Sequence, residues 1–157
     1  MNPKKTIRSL IGLGAGLGVV MALTACTPFT RIQGDADTLP KLNGDWLVKY
    51  VAGKPLATMA KEPQMIFDTA HGTISGFDGC NPIRGPYTFE GGRLKAKIAS
   101  GRMACTSDAA KQASAAINDL LTNGAEVVET SLLKGHVLML RNDTAEIRLW
   151  PTAASVK

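Results

Sequence analysis

The chain has 157 residues, 45% hydrophobic and 20% charged, with a formal net charge of +5. That length and balance fit one globular domain and exclude a collagen-like, coiled-coil or wholly disordered chain. Of 18 basic residues, Lys4, Lys5 and Arg8 lie in the first 25, leaving 15 against all 13 acidic ones. The basic balance therefore belongs largely to a short leader and is no footprint of nucleic-acid binding.

Residues 1–25 read as a secretory signal peptide. A basic segment from Lys4 to Arg8 precedes an uncharged run, Ser9 to Ala25, that ends in small residues. The run holds about 17 residues with four glycines, at the lower limit of the ~20 apolar residues a bilayer core requires. Its last residues, Leu23-Thr24-Ala25-Cys26, resemble the bacterial lipobox. The resemblance implies a diacylglycerol thioether on the Cys26 sulfur, cleavage between Ala25 and Cys26, and N-acylation, with palmitate the expected acyl group. Several acyl chains anchor stably where one alone is marginal. Thr27 stands where an Asp would resemble an inner-membrane retention signal, so the expected location is the outer membrane, facing the periplasm.

Residues 26–40 contain two prolines and no usable periodicity, which reads as a lipidated N-terminus and flexible tether. A folded domain is expected over 41–151, followed by a tail over 152–157. Alternation predicts strands at Asp45–Val51, with Trp46, Val48 and Tyr50 on one face, and at Gln64–Asp68 and Thr73–Phe77 around His71-Gly72. Tyr87–Glu90 and Arg93–Ile98 flank Gly91-Gly92, a strong hairpin signal. Val127–Leu133, His136–Leu140 and Ala145–Trp150 supply three more strands. Between the two sets, Ser107 or Asp108 caps a helix with Ala109, Ala113, Ala116, Ile117, Leu120 and Leu121 on one stripe, and Asn123-Gly124 ends it. The class is α+β, mostly β. About eight strands form a curled antiparallel sheet, partly open and barrel-like, with one helix packed on it.

Several motifs in this order resemble the META domain, also called the HslJ-like family. They are Gly44-Asp45-Trp46, Pro63 to Asp68, Gly79-Cys80-Asn81, Gly85-Pro86-Tyr87, Met103-Ala104-Cys105, Gly135 to Leu140 and Ile147 to Trp150. The resemblance covers the whole folded region and implies envelope and stress-associated roles without a defined activity. Two departures stand out. The family usually has Thr at the position of Gly101, and a Glu with an aromatic in the helix, where this chain reads Lys111 to Ile117.

With Cys26 lipidated, Cys80 and Cys105 are the remaining thiols, and an even pair in an oxidising compartment is most simply a disulfide. The resemblance points to the same pairing. A catalytic thiol would need a nearby base, and His71 and His136 are the only histidines. Neither Cys-x₂₋₄-Cys nor His-x₃₋₅-His zinc spacing occurs, and both histidines sit beside turns as exposed polar residues. Asp68 and Asp78 flank the second hairpin and could pair as acid and base, although turn aspartates usually bond the backbone. The expected protein binds the membrane through Cys26, and an envelope protein or ligand through its domain. No catalytic residue, cofactor, metal or nucleic acid is expected. Two alternatives stand beside this reading: a carrier of a lipid or other apolar ligand in a sheet cavity, and an enzyme using Asp78, Cys80 or a histidine.

Overall fold

The computed structural model describes residues 29–31, 39–132 and 135–153. Strand β1 (Phe29–Arg31) and a short helix α1 (Leu39–Leu42) precede β2 (Gly44–Val51), β3 (Lys54–Pro55), β4 (Gln64–Asp68) and β5 (Thr73–Phe77). β6 (Pro82–Glu90), β7 (Arg93–Ala96) and β8 (Ala99–Ser100) lead into helix α2 (Asp108–Asn123). β9 (Ala125–Leu132), β10 (Gly135–Arg141) and β11 (Glu146–Pro151) follow. Residues 1–28, with Ala25 and Cys26, lie outside the described residues, as do 32–38, 133–134 and 154–157.

The strands pair antiparallel in the order β9-β10-β11-β2-β4-β5-β6-β7, and β7 returns to β9 through Arg93–Glu126 and Leu94–Ala125. The sheet thus closes into a barrel of eight strands, where the sequence suggested a partly open one. Closure removes the free edges that an open sheet would leave exposed. β1, β3 and β8 pair onto strands of the ring from outside it. β1 and the first half of α1 fall within the segment read as a tether, and Leu42 at the end of α1 is fully buried in the core. Trp46 fixes that plug by donating its indole N–H to the Leu42 carbonyl at 2.8 Å.

Alternating residues of the strands fill the interior, with Phe67, Leu94, Leu140, Ile147 and Leu149 all at 1% exposure or less. The apolar stripe of α2 joins this core through Ala116, Ile117, Leu120 and Leu121. Ser107 caps the helix, its hydroxyl accepting from the Ala110 N–H at 3.2 Å. Ala110 is buried in place of the expected Ala109. Tyr50 is a second correction. The β2–β11 register skips one residue on β2, pairing Arg148 with Tyr50 but Leu149 with Val48. That bulge reverses the inside–outside parity of the strand. Val51 packs against the core, and Tyr50 stacks on Trp150 with ring centroids 5.3 Å apart.

Candidate functional site

The turn Asp78-Gly79-Cys80-Asn81 joins β5 to β6, and its side chains reach α2 and the loop that precedes it. Asp78 is fully buried. Its Oδ1 accepts the backbone N–H groups of Cys80 (2.8 Å) and Asn81 (2.7 Å). Its Oδ2 accepts from the Ser114 hydroxyl (2.8 Å) and the Asn118 amide (2.9 Å) on α2. A buried carboxylate is tolerable only when its lone pairs are met in this way. Gly79 has φ +106, and a Cβ there would lie 3.2 Å from the Ala110 carbonyl and 3.3 Å from the Ala113 Cβ. Only glycine lets α2 approach so closely with that backbone.

Cys80 is bonded to Cys105, with Cα atoms 4.9 Å apart. The bridge ties the β5–β6 turn to the loop entering α2. Asn81 extends the tie. Its Oδ1 accepts the Met103 N–H at 2.7 Å and its Nδ2 donates to the Met103 carbonyl at 3.3 Å. One side-chain amide thereby copies a pair of ladder hydrogen bonds. Met103 is consequently fixed at the backbone while its side chain stays out, at 61% exposure; Ala104 beside it is also exposed. Gly101 belongs to the same arrangement, since a Cβ there would fall 2.6 Å from Asn81 Oδ1.

The other candidates do not converge on this turn. Asp68 sits at the turn end of the β4–β5 hairpin, paired with Thr73, whereas Asp78 follows the opposite end, where Gln64 pairs with Phe77. Five residues of extended chain, Thr73 to Asp78, separate the two aspartates by roughly 17 Å, too far for one acid–base pair to share a small substrate atom. Asp68 instead accepts from the His71 backbone (3.1 Å) and pairs with His71 Nδ1 (2.7 Å), and that side-chain bond holds its carboxyl below the ordinary aspartate range. His136 pairs with Glu129 at 2.6 Å, and Lys41 of α1 reaches the other Glu129 oxygen at 2.9 Å. Burial raises the Glu129 pKa, but the bonds and charges of Lys41 and His136 outweigh it and the net direction is down. Sequence reasoning missed Glu129, Ser114 and Asn118. Among the described residues no three of His, Cys, Asp and Glu gather as a metal set, and no helix is long and apolar enough to cross a membrane.

A groove of about 660 Å³ lies between α2, the β2–β3 turn and the β10–β11 turn, floored by Ala109, Ala115, Ala116 and Ala145. Asp119 at its rim accepts from Thr144 (2.6 Å), Asn142 (2.9 Å) and Asn123 (2.6 Å). The first of these is the strongest cause holding its carboxyl below the ordinary range.

No curated protein matches the chain. One solved NMR structure of a protein shares 26% identity with it at a TM-score of 0.57, covering 70% of this chain and 92% of that one. Another, of a protein from Burkholderia xenovorans, shares 18% identity at a TM-score of 0.58, covering 96% of this chain and 99% of that one. These likenesses bear on the fold. The META domain family model matches residues 37–154, spanning the barrel, α2 and the Asp78–Asn81 turn, and the chain belongs to the META domain family.

Proposed function

We propose that the protein is a lipid-anchored, non-enzymatic binding module of the bacterial cell envelope. The observation that carries this reading is the use of the family's own motif. Asp78 spends both oxygens on four donors, Cys80 is in a disulfide and Asn81 is committed to Met103. A nucleophile or general base needs a free reacting atom, and these residues offer none. The lipobox at Leu23 to Cys26 supports the anchor, Thr27 supports the outer membrane, and the stress association follows from the family resemblance.

The test is made in intact cells. Cys26→Ser should leave an unprocessed precursor or a soluble protein, and equal membrane retention would remove the anchor. On unreduced protein a thiol-reactive probe should label neither Cys80 nor Cys105; a labelled Cys80 would return the enzyme reading. Crosslinking in the envelope should then capture a partner.

A second reading, an apolar-ligand carrier, has one observation in its favour. The barrel interior is filled by side chains, but the alanine-floored groove beside α2 falls in the size range of small-molecule sites. Native mass spectrometry of envelope-purified protein should then show a co-purifying small molecule, and its absence removes the carrier.

A further inference from the structure

Lys95 and Lys97 continue the exposed parity of β7, with Leu94 and Ala96 buried between them. Arg84 projects from β6, and Arg102 follows β8 by two residues; both are exposed. Among the described residues none of these four cations has a hydrogen-bond or ion-pair partner through its side chain. Their register neighbours are Thr88 beside Lys95, Ala99 and Ser75 beside Arg84, and Pro86 beside Lys97. No acid interrupts the row. Arg93 is different, since it faces Glu90 on β6 and Glu126 on β9.

The row carries a charge of +4, while the whole chain from Cys26 onward carries only 15 basic against 13 acidic residues. The remainder, 11 basic against 13 acidic, is therefore net negative, and the row is a local excess of positive charge. Met103 stands next to Arg102, held out from the surface by the Asn81 clamp. Cations flanking a fixed exposed hydrophobe match the layered chemistry of a lipid headgroup region. A nucleic acid would instead call for rings on which bases stack, and the nearby Tyr87 and Phe89 belong to the core side.

We propose that this side of the barrel lies on an anionic phospholipid surface. The four cations meet headgroup phosphates and Met103 enters the headgroup layer. β1 and β7 share one edge of β9, with Arg31 opposite Val128 and Arg93 opposite Glu126. Cys26 precedes Phe29 by three residues, a reach of at most about 11 Å. From that shared edge β1 leads toward Cys26 past Thr130 and β7 leads toward Lys95 past Ala125, so the lipid and the row would reach the bilayer from opposite ends of one seam. That placement of the lipid rests on the proposed Cys26 modification, whereas the row's charge does not.

The test therefore uses the unlipidated chain from Thr27 to Lys157, which retains every described element. It should bind phosphatidylglycerol vesicles, ignore phosphatidylcholine vesicles and lose affinity steeply as salt rises. Each cation near an anionic surface is worth about a fivefold change in partition. R84Q/K95Q/K97Q/R102Q should therefore reduce binding at least ~100-fold. K49Q/K54Q/K61Q/K111Q, an equal charge change elsewhere, should reduce it far less. Met103→Trp should give a blue-shifted emission on anionic vesicles only. Equal losses in the two quadruple variants, no binding by the starting chain, or tighter binding to single-stranded DNA than to the vesicles would each overturn the proposal. None of these outcomes depends on whether Cys26 is lipidated.

Discussion

Two buried carboxylates in this barrel, Asp78 after β5 and Glu129 on β9, are satisfied by different kinds of donor. Asp78 receives two backbone N–H groups, a serine hydroxyl and an asparagine amide. None of these donors titrates, so its partners are constant with pH. Glu129 is met by Lys41 and His136, whose side chains are 51% and 71% exposed. Solvent screens such pairs and reduces what they contribute. The first arrangement locks a turn to a helix, and the second fastens α1 to the rim of the barrel by weaker bonds.

The comparison is tested most severely at Asp78. Asp78→Ala would leave two buried N–H groups, Ser114 and Asn118 without their acceptor and should cost about 3–5 kcal/mol in denaturant unfolding. Asp78→Asn keeps one acceptor oxygen and should cost less. A loss within ~0.5 kcal/mol for the alanine variant would show that the network does not hold α2 to the turn.

The disulfide should come next. Cys80 and Cys105 are 25 positions apart, for which the chain-entropy account gives about 3–4 kcal/mol. Removing either cysteine or both should cost nearly the same, because the bridge is lost whole. Additive losses would indicate two independent thiols. Reductant should destabilise the starting protein and leave the double variant unchanged.

Elements fixed by local rules were legible in the sequence, as β4, β5 and the β6–β7 hairpin show. Alternation set the faces, and Gly91-Gly92 supplied the positive φ angles of 56° and 76° that the turn needs. Helix α2 was equally local, with Ser107 at one end and Gly124 at the other. What depended on a distant partner was not legible. The bulge that turns Tyr50 outward is a mismatch between β2 and β11, and ring closure depends on two residue pairs between β7 and β9. At the site, Cys80–Cys105 followed from parity and family resemblance. Ser114 and Asn118 read as ordinary polar helix positions, although their i, i+4 spacing puts both on the side facing Asp78. Glu129 shares strand parity with the inward Ala125 and Val127, which is the signal that could have found it.

Gly101 sharpens the same comparison at smaller cost. The family usually carries Thr there, but a Cβ at Gly101 would meet Asn81 Oδ1 at 2.6 Å. Gly101→Thr should push Asn81 off Met103 and cost about 1–2 kcal/mol. Faster hydrogen exchange at the Met103 amide would report the lost bond directly. Unchanged exchange would mean that the clamp survives a side chain at this position.

The smallest effect is expected at Glu129, and its sign is set by the direction of its shift. Burial opposes the charged form, but Lys41 and His136 favour it more, so the folded pKa lies below the ordinary glutamate value of 4.5. A carboxyl depressed on folding contributes stability above its unfolded pKa, and that contribution is lost as pH falls through the folded value. The starting protein should therefore lose stability below about pH 4.5 more steeply than Glu129→Gln, which has no carboxyl to protonate. Near pH 7 the variant should be less stable by about 0.5–1 kcal/mol, as suits bonds to half-exposed partners. Lys41→Met should give an intermediate acid limb, since it removes one of the two groups that lower the pKa and leaves His136. Parallel stability curves for Glu129→Gln and the starting protein from pH 7 to pH 3 would mean that Glu129 gains nothing from its partners. Its burial would then rest on the packing of the barrel rim alone.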